Sequence, residues 1–125
     1  RLLAHRSVVF LLSDLQAPGA ERALKLLAQR HDLVVATIED PAEWVLPDVG
    51  LARMRDAETG EIVEVDTSHP AVRRAFQQRS AREREARTRM LRRLGVDEIV
   101  CNTEHGYVDP LYRFFRARGE RARRR

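Results

Sequence analysis

Five apolar residues in a row, Val8 to Leu12, constrain this chain more than any other stretch. A strand with one wet face alternates apolar and polar residues. An unbroken run of this kind reads instead as a strand covered on both faces, as in the middle of a parallel sheet. Ser13 and Asp14 follow at its carboxyl end, the end at which open α/β sheets bind ligands. Gln16 to Gly19 turn the chain, and a helix is expected from Ala20 to Arg30 with Ala23, Leu24, Leu27 and Ala28 on one face. A second apolar run, Leu33 to Ile38, ends in Glu39-Asp40-Pro41 and is again polar at its carboxyl end. Strand, helix and strand at this spacing make a right-handed βαβ unit.

The middle of the chain changes character. Val49 to Arg55 and Glu61 to Val65 flank a loop, Asp56 to Gly60, with hairpin chemistry, so an antiparallel pair is expected at the edge of the sheet. Pro41, Trp44 and Pro47 lie in the connection leading to it. Thr67 or Ser68 is then placed to cap a long helix, with Pro70 in its first turn. Val72, Phe76, Met90, Leu91 and Leu94 form one stripe along that helix, but between Arg79 and Arg89 the stripe shrinks to Ala81 and Ala86. Gly95 ends it. A third strand is expected over Asp97 to Cys101, and a last helix from Asp109-Pro110 with Leu111, Phe114 and Phe115 on one face. Residues 117–125 read as a basic tail that frays. The fold class is α/β, a mainly parallel sheet with flanking helices and a hairpin at its edge. A chain of 125 residues suffices for one domain with one core.

Composition narrows the function classes. Cys101 is the only cysteine, which excludes an internal disulfide and a cysteine metal cluster. No run approaches the roughly 20 apolar residues that cross a membrane. The formal net charge is +4, and nearly all the positive charge is arginine, since Lys25 is the only lysine. That bias fits a GC-rich genome better than a demand for guanidinium chemistry. The chain opens on Arg1 and reaches a core strand almost at once, so it is expected to be a piece of a longer one.

Candidate chemistry is sparse. The glycines are scattered, so no phosphate loop forms, and His5, His31, His69 and His105 lack zincin spacing and read as surface or capping residues. Asp66-Thr67-Ser68 resembles a metal-binding turn but precedes a helix that needs a cap. Glu104-His105 has acid and base types side by side, where a loop role is simpler. Cys101 reads as a buried thiol and not a nucleophile. Asp14 can hold a hard cation or its water. Taken alone, it is more simply the start of a turn or a helix cap. An enzyme reading groups Asp14, Asp40 and Glu104 as a carboxylate cluster at the sheet's carboxyl edge. A nucleic-acid reading uses the arginines from Arg73-Arg74 to Arg92-Arg93. Glu83 and Glu85 are interleaved among them, Glu83 stands four residues before Arg87 as in a helix-stabilising pair, and no aromatic residue lies between Arg79 and Arg93. A solvated helix face is therefore expected, with no nucleic-acid partner.

Several short motifs together carry a resemblance. Val8 to Leu15 followed by Ala23 to Val35, Leu46-Pro-Asp-Val-Gly50, Glu58-Thr-Gly-Glu61, Val65-Asp-Thr-Ser68, Leu94-Gly-Val-Asp97, Tyr107-Val-Asp-Pro-Leu111 and Arg113-Phe-Phe-Arg116 span nearly the whole chain in order. They resemble the bacterial domain of unknown function 58 family, whose core is a von Willebrand factor type A-like domain. The resemblance implies that residues 1–116 are the carboxyl-terminal half of such a domain. It implies a protein-interaction module and not an enzyme, with no catalytic residue. The implied partner is a MoxR-type AAA+ ATPase acting in assembly, maturation or metal insertion of other proteins. Upstream segments would anchor it at the bacterial inner membrane, on the cytoplasmic or periplasmic side. Type A domains hold Mg²⁺ or another divalent cation at a metal-ion-dependent adhesion site, and Asp14 matches the last aspartate of that site, with Ser13 beside it. The site's Asp-x-Ser-x-Ser turn and threonine would lie upstream of Arg1, so in this chain the site is expected to be incomplete. The strand Val8 to Leu12, lacking its upstream neighbour, would then be an exposed edge.

Overall fold

In the computed structural model residues 5–16, 19–56 and 59–123 are described, Ala122 by its backbone alone. Ala17 and Pro18 of the expected turn, Ala57 and Glu58 of the hairpin loop, and Arg124 and Arg125 of the tail lie outside them. The elements are β1 (Val8–Ser13), α1 (Ala20–Arg30), β2 (Asp32–Glu39), β3 (Leu51–Arg55), β4 (Ile62–Asp66), α2 (Pro70–Arg93), β5 (Asp97–Asn102) and α3 (Val108–Arg123), with a short 3-10 turn at Pro41–Glu43. They fall into two compact units: one runs to Pro41 and resumes at Glu85, and the other is Ala42–Arg84.

The first unit is built on β2, the most deeply buried of its strands. It lies between β1 and β5 and is parallel to both, in the order β1-β2-β5. One face of this sheet presents Val9, Leu11, Leu33 and Val35, and packs with Leu24 and Leu27 of α1, Leu91 and Met90 of α2, and Val96. Helix α2 closes on Gly95, whose φ of 69° only glycine adopts without strain. There Gly95 N–H reaches the Arg92 carbonyl at 3.1 Å and Val96 N–H the Leu91 carbonyl at 3.0 Å, a Schellman close that returns the chain to the sheet. Helix α3 lies on the other face, where the Phe115 ring stands 5.8 Å from Phe10 and Arg118 bridges Asp32 and Asp97. That bridge explains why α3 continues to Arg123 where a fraying tail was expected after residue 116.

The expectation of a strand covered on both faces holds for β2 and fails for β1. Val8, Phe10 and Leu12 are 56%, 41% and 67% exposed, because β1 is an edge of the sheet and α3 meets it through Phe115. The hairpin also differs from expectation. Strands β3 and β4 pair antiparallel, Leu51 against Asp66 through Arg55 against Ile62, as a two-stranded sheet of their own. Their carboxyl end is tied down by Thr67, which is fully buried. Its hydroxyl donates to the Gly50 carbonyl at 2.7 Å and accepts from Val49 N–H at 3.0 Å. Thr67 is thus committed to the loop before β3 and does not cap α2. Ser68 does not cap it either: its hydroxyl donates to Asp66 at 2.6 Å, and among the described residues no helix N–H donates to its oxygen. The first turn of α2 instead leans on the His69 carbonyl, which receives Val72 N–H at 3.0 Å.

Two outcomes follow. No charge guards β1, the usual protection of an edge strand. We expect this 125-residue chain to self-associate in size-exclusion chromatography with light scattering, and Leu12→Lys to return it to monomer with its helix content unchanged. A monomeric wild-type chain would sink the argument. The second concerns acid. Hydrogen bonds from Ser68, and then nearby His69, hold the Asp66 carboxyl below its ordinary value of 3.8. A carboxyl lowered by folding stabilises fully above its unfolded value and loses that contribution as the pH falls towards the folded one. The stability gap between wild type and Asp66→Asn in urea melts should therefore be present at neutral pH and close below 3.8. A gap that persists unchanged in acid would refute it.

Candidate functional site

The polar residues of the first unit gather at the carboxyl ends of its three strands. At the end of β1 the chain makes a tight turn. Ser13 Oγ accepts the Leu15 N–H at 3.0 Å, and Asp14 Oδ1 accepts the Gln16 N–H at 3.2 Å. Leu15 is the one non-glycine residue with positive φ among the described residues, at 56°. A leucine in the left-handed region is uncommon and is strained, by roughly 1–3 kcal/mol. Its side chain packs against the core of the unit, which holds it there. Asp14 is exposed above this turn. Of its two simpler expected roles, the turn is realised and the helix cap is not: α1 begins at Gly19, with no side-chain cap.

At the ends of β2 and β5 lies a buried network that the sequence reading missed. Register places Thr37 next to Ser13 across the β1–β2 pair, and Glu39 next to Asn102 across the β2–β5 pair. Arg87 enters from α2 and donates to both Glu39 and Glu98, the latter at 3.0 Å. These three side chains are 14%, 8% and 11% exposed. Thr37 donates to Glu98 Oε1 at 2.9 Å and Thr88 to Glu98 Oε2 at 2.8 Å. Among the described residues no buried side-chain nitrogen or oxygen lacks a partner. The expected Glu83–Arg87 pair is replaced: Glu83 pairs with Arg79 at 2.8 Å. Arg87 lies four residues before Leu91 and seven before Leu94, on the stripe that faces the sheet. The gap in that stripe was the available signal, because a long apolar strand ending in Glu39 supplies the carboxylate that fills it.

Beyond β5, Asn102 Oδ1 accepts the N–H groups of Glu104 at 2.8 Å and His105 at 3.3 Å, and the His105 ring lies 3.3 Å from the same oxygen. His105 is thus turned to its own loop. Cys101 is half-buried and burial pushes its thiol up, away from the thiolate that a nucleophile needs. Asp14, Asp40 and Glu104 all follow strand ends. Among the described residues, though, no three His, Cys, Asp or Glu side chains come together to hold a metal. For a divalent cation, Ser13 and Asp14 offer one hydroxyl and one carboxylate, each already accepting a backbone N–H. Mg²⁺ demands near-octahedral oxygen ligation, so this pair does not fit the ion unaided.

Six arginines of α2, Arg73, Arg79, Arg84, Arg87, Arg89 and Arg93, are engaged with protein, while Arg74, Arg82 and Arg92 are exposed. In the second unit Arg73 meets Asp48 at 3.1 Å, and the Arg84 guanidinium lies 4.0 Å from the Trp44 ring centroid, a cation–π contact. In the first, Arg89 pairs with Glu85 and Arg93 with Glu21. His31 closes α1, its N–H on the Leu27 carbonyl at 2.9 Å, and His69 lies 3.4 Å from Asp66. The buried cluster makes a strong demand. Arg87→Met leaves two buried carboxylates without their cation and should cost about 3–5 kcal/mol in denaturant unfolding. Arg79→Met, at an exposed pair, should cost at most about 1 kcal/mol. Equal effects would show that Arg87 is as solvated as Arg79.

Uncharacterized proteins of Mycobacterium tuberculosis and Mycobacterium bovis are 30% identical to the chain over 114 residues, which is 90% of this chain and 36% of theirs. One from Mycobacterium avium is 29% identical over 114 residues, 90% of this chain and 67% of its own length. The chain therefore spans little more than a third of the first two relatives. No solved structure matches it. The family model described as "Protein of unknown function DUF58" matches residues 1–86, most of the chain, and the chain belongs to that family.

Proposed function

We propose that this chain is a protein-interaction module of a bacterial DUF58 protein, that Ser13 and Asp14 contribute part of a divalent-cation site, and that its partner is a MoxR-type AAA+ ATPase acting in the assembly or maturation of other proteins. The observation that carries this reading is the turn Ser13–Gln16, where an exposed carboxylate at a strand's carboxyl end is held over a strained leucine. Strain that the core maintains at such a place is a mark of function. The missing ligands would come from other parts of the longer protein, from water and from the partner. The cation would supply an oxygen-seeking charge, and the chain would orient Asp14 towards it.

The reading is one of binding and not of catalysis. It is supported by the engagement of His105 with Asn102 and by the raised Cys101 thiol. A protein partner is favoured over nucleic acid by the carboxylates and the tryptophan that occupy arginines of α2. Among the described residues no helix is long and apolar enough to cross a membrane, so anchoring at the inner membrane is assigned to segments outside this chain.

Calorimetry with Mg²⁺ tests the cation. This chain alone should bind at most weakly, while the longer protein should bind and lose at least about tenfold in affinity on Asp14→Ala. Tight binding by the chain alone, abolished by Asp14→Ala, would show that the chain completes the site itself. Binding by the longer protein that ignores Asp14→Ala would remove Asp14 from it. Co-purification of the ATPase with the longer protein, compared with and without a chelator, tests the partner.

A further inference from the structure

We infer that a cleft along α2 in the second unit captures the carboxyl-terminal residue of a partner polypeptide, one that ends in an aliphatic side chain. The cleft has a volume of about 250 Å³ and is lined by Val45 and Leu46 on one side and by Pro70, Arg73, Arg74 and Gln77 of α2 on the other. It lies wholly within Ala42–Arg84, and the inference does not depend on a cation at Ser13–Asp14.

Three observations carry it. The first is that both walls are fixed. Pro70, Arg73, Arg74 and Gln77 are spaced i, i+3, i+4 and i+7, so they share one flank of the helix. The facing segment is fastened to α2 at two points. The Arg84 guanidinium lies 4.0 Å from the Trp44 ring centroid, and Arg73 meets Asp48 at 3.1 Å. Val45 and Leu46 stand between these fastenings, so the wall is in place before a ligand arrives, which lowers the cost of binding. The second is the apolar lining. Leu46 is buried, while Val45 beside it is 55% exposed.

The third is charge. Arg73 is committed: besides meeting Asp48, it donates to the Thr67 carbonyl at 2.5 Å and the Ser68 carbonyl at 3.0 Å. Arg74 and Gln77 are exposed, and neither side chain has a partner among the described residues. The cleft thus presents one uncompensated positive charge beside an apolar floor. Its size decides how a ligand must be built. At about 250 Å³ it falls below the roughly 300–1,000 Å³ of cofactor and small-molecule sites, and it suits a single residue. The apolar group and the anion must then belong to the same residue. Aspartate and glutamate carry a carboxylate but little apolar surface, whereas an aliphatic residue at a chain end carries both. Its side chain would rest on Val45 and Leu46, and its carboxylate would pair with the Arg74 guanidinium in two parallel hydrogen bonds. The Gln77 amide, with a donor and an acceptor, suits the peptide group that precedes it. A free amino acid is disfavoured, because its ammonium would enter beside two arginines.

A library of short random peptides displayed with free carboxyl termini, selected on the 125-residue chain, tests this. The enriched peptides should end in an aliphatic residue. In fluorescence polarisation a labelled representative should lose at least about tenfold in affinity when its terminus is amidated, and as much on Arg74→Glu. The two losses should not add: the amidated peptide should bind wild type and Arg74→Glu alike, which also shows that the variant is folded. Arg82→Glu, at another exposed arginine of α2 outside the cleft, should leave binding unchanged. The inference is overturned if no peptide is enriched, if the enriched peptides share no aliphatic terminus, or if amidation costs nothing. It is also overturned if Arg74→Glu binds undiminished, or if Arg82→Glu weakens binding as much as Arg74→Glu does.

Discussion

The packing of α2 on the parallel sheet depends on one guanidinium. Arg87 stands between Glu39 on β2 and Glu98 on β5, and without it two carboxylates would lie between a helix and a sheet with no counter-charge. Such a cluster adds little net stability over a well-packed apolar one, since desolvation offsets most of the attraction. Its effect is on choice. Leu91 and Met90 would still find apolar neighbours if α2 slid by a turn, because apolar packing tolerates many arrangements. Arg87 would not, for it would leave Glu98 and the hydroxyls of Thr37 and Thr88 behind. The polar contacts select one register out of several that the oily contacts permit.

The same face of the sheet therefore changes character along the strands. Leu33 and Val35 of β2 meet Leu24 and Leu91, and the next residues on that face, Thr37 and Glu39, are polar and almost wholly buried. The apolar half holds the unit together. The polar half stands next to the turn that presents Asp14.

Much of this was legible in the residues. Helix α1 begins and ends where the spacing of Ala23, Leu24, Leu27 and Ala28 put it, and β2 was marked by the apolar residues on both its faces. These are local signals, written in periods of 3.6 and 2. What escaped was decided by distant partners. Glu83 was the natural partner of Arg87 by helix spacing, but Glu39 and Glu98 lie far away in sequence and a buried carboxylate outcompetes a solvated one. Thr67 looked like a cap until Gly50 claimed its hydroxyl. The apolar run of β1 alone read as a strand covered on both faces, while the family resemblance, which takes away its upstream neighbour, read it as an exposed edge, and the sheet order has it as an edge. The turn role of Asp14 was readable, while the left-handed Leu15 beside it was not, since leucine carries no signal for that conformation.

Leu15 has a consequence of its own. It is at once the strained link of the turn and a side chain lodged among the core residues around Leu24 and Leu91. Asp14 is joined to it directly. The backbone that carries Asp14 cannot shift without levering a leucine out of its packing, while the exposed carboxylate is steadied only by the Gln16 N–H that it accepts. The backbone share of the freedom that a surface aspartate surrenders on meeting a ligand is surrendered here when the chain folds, and the side chain keeps the rest.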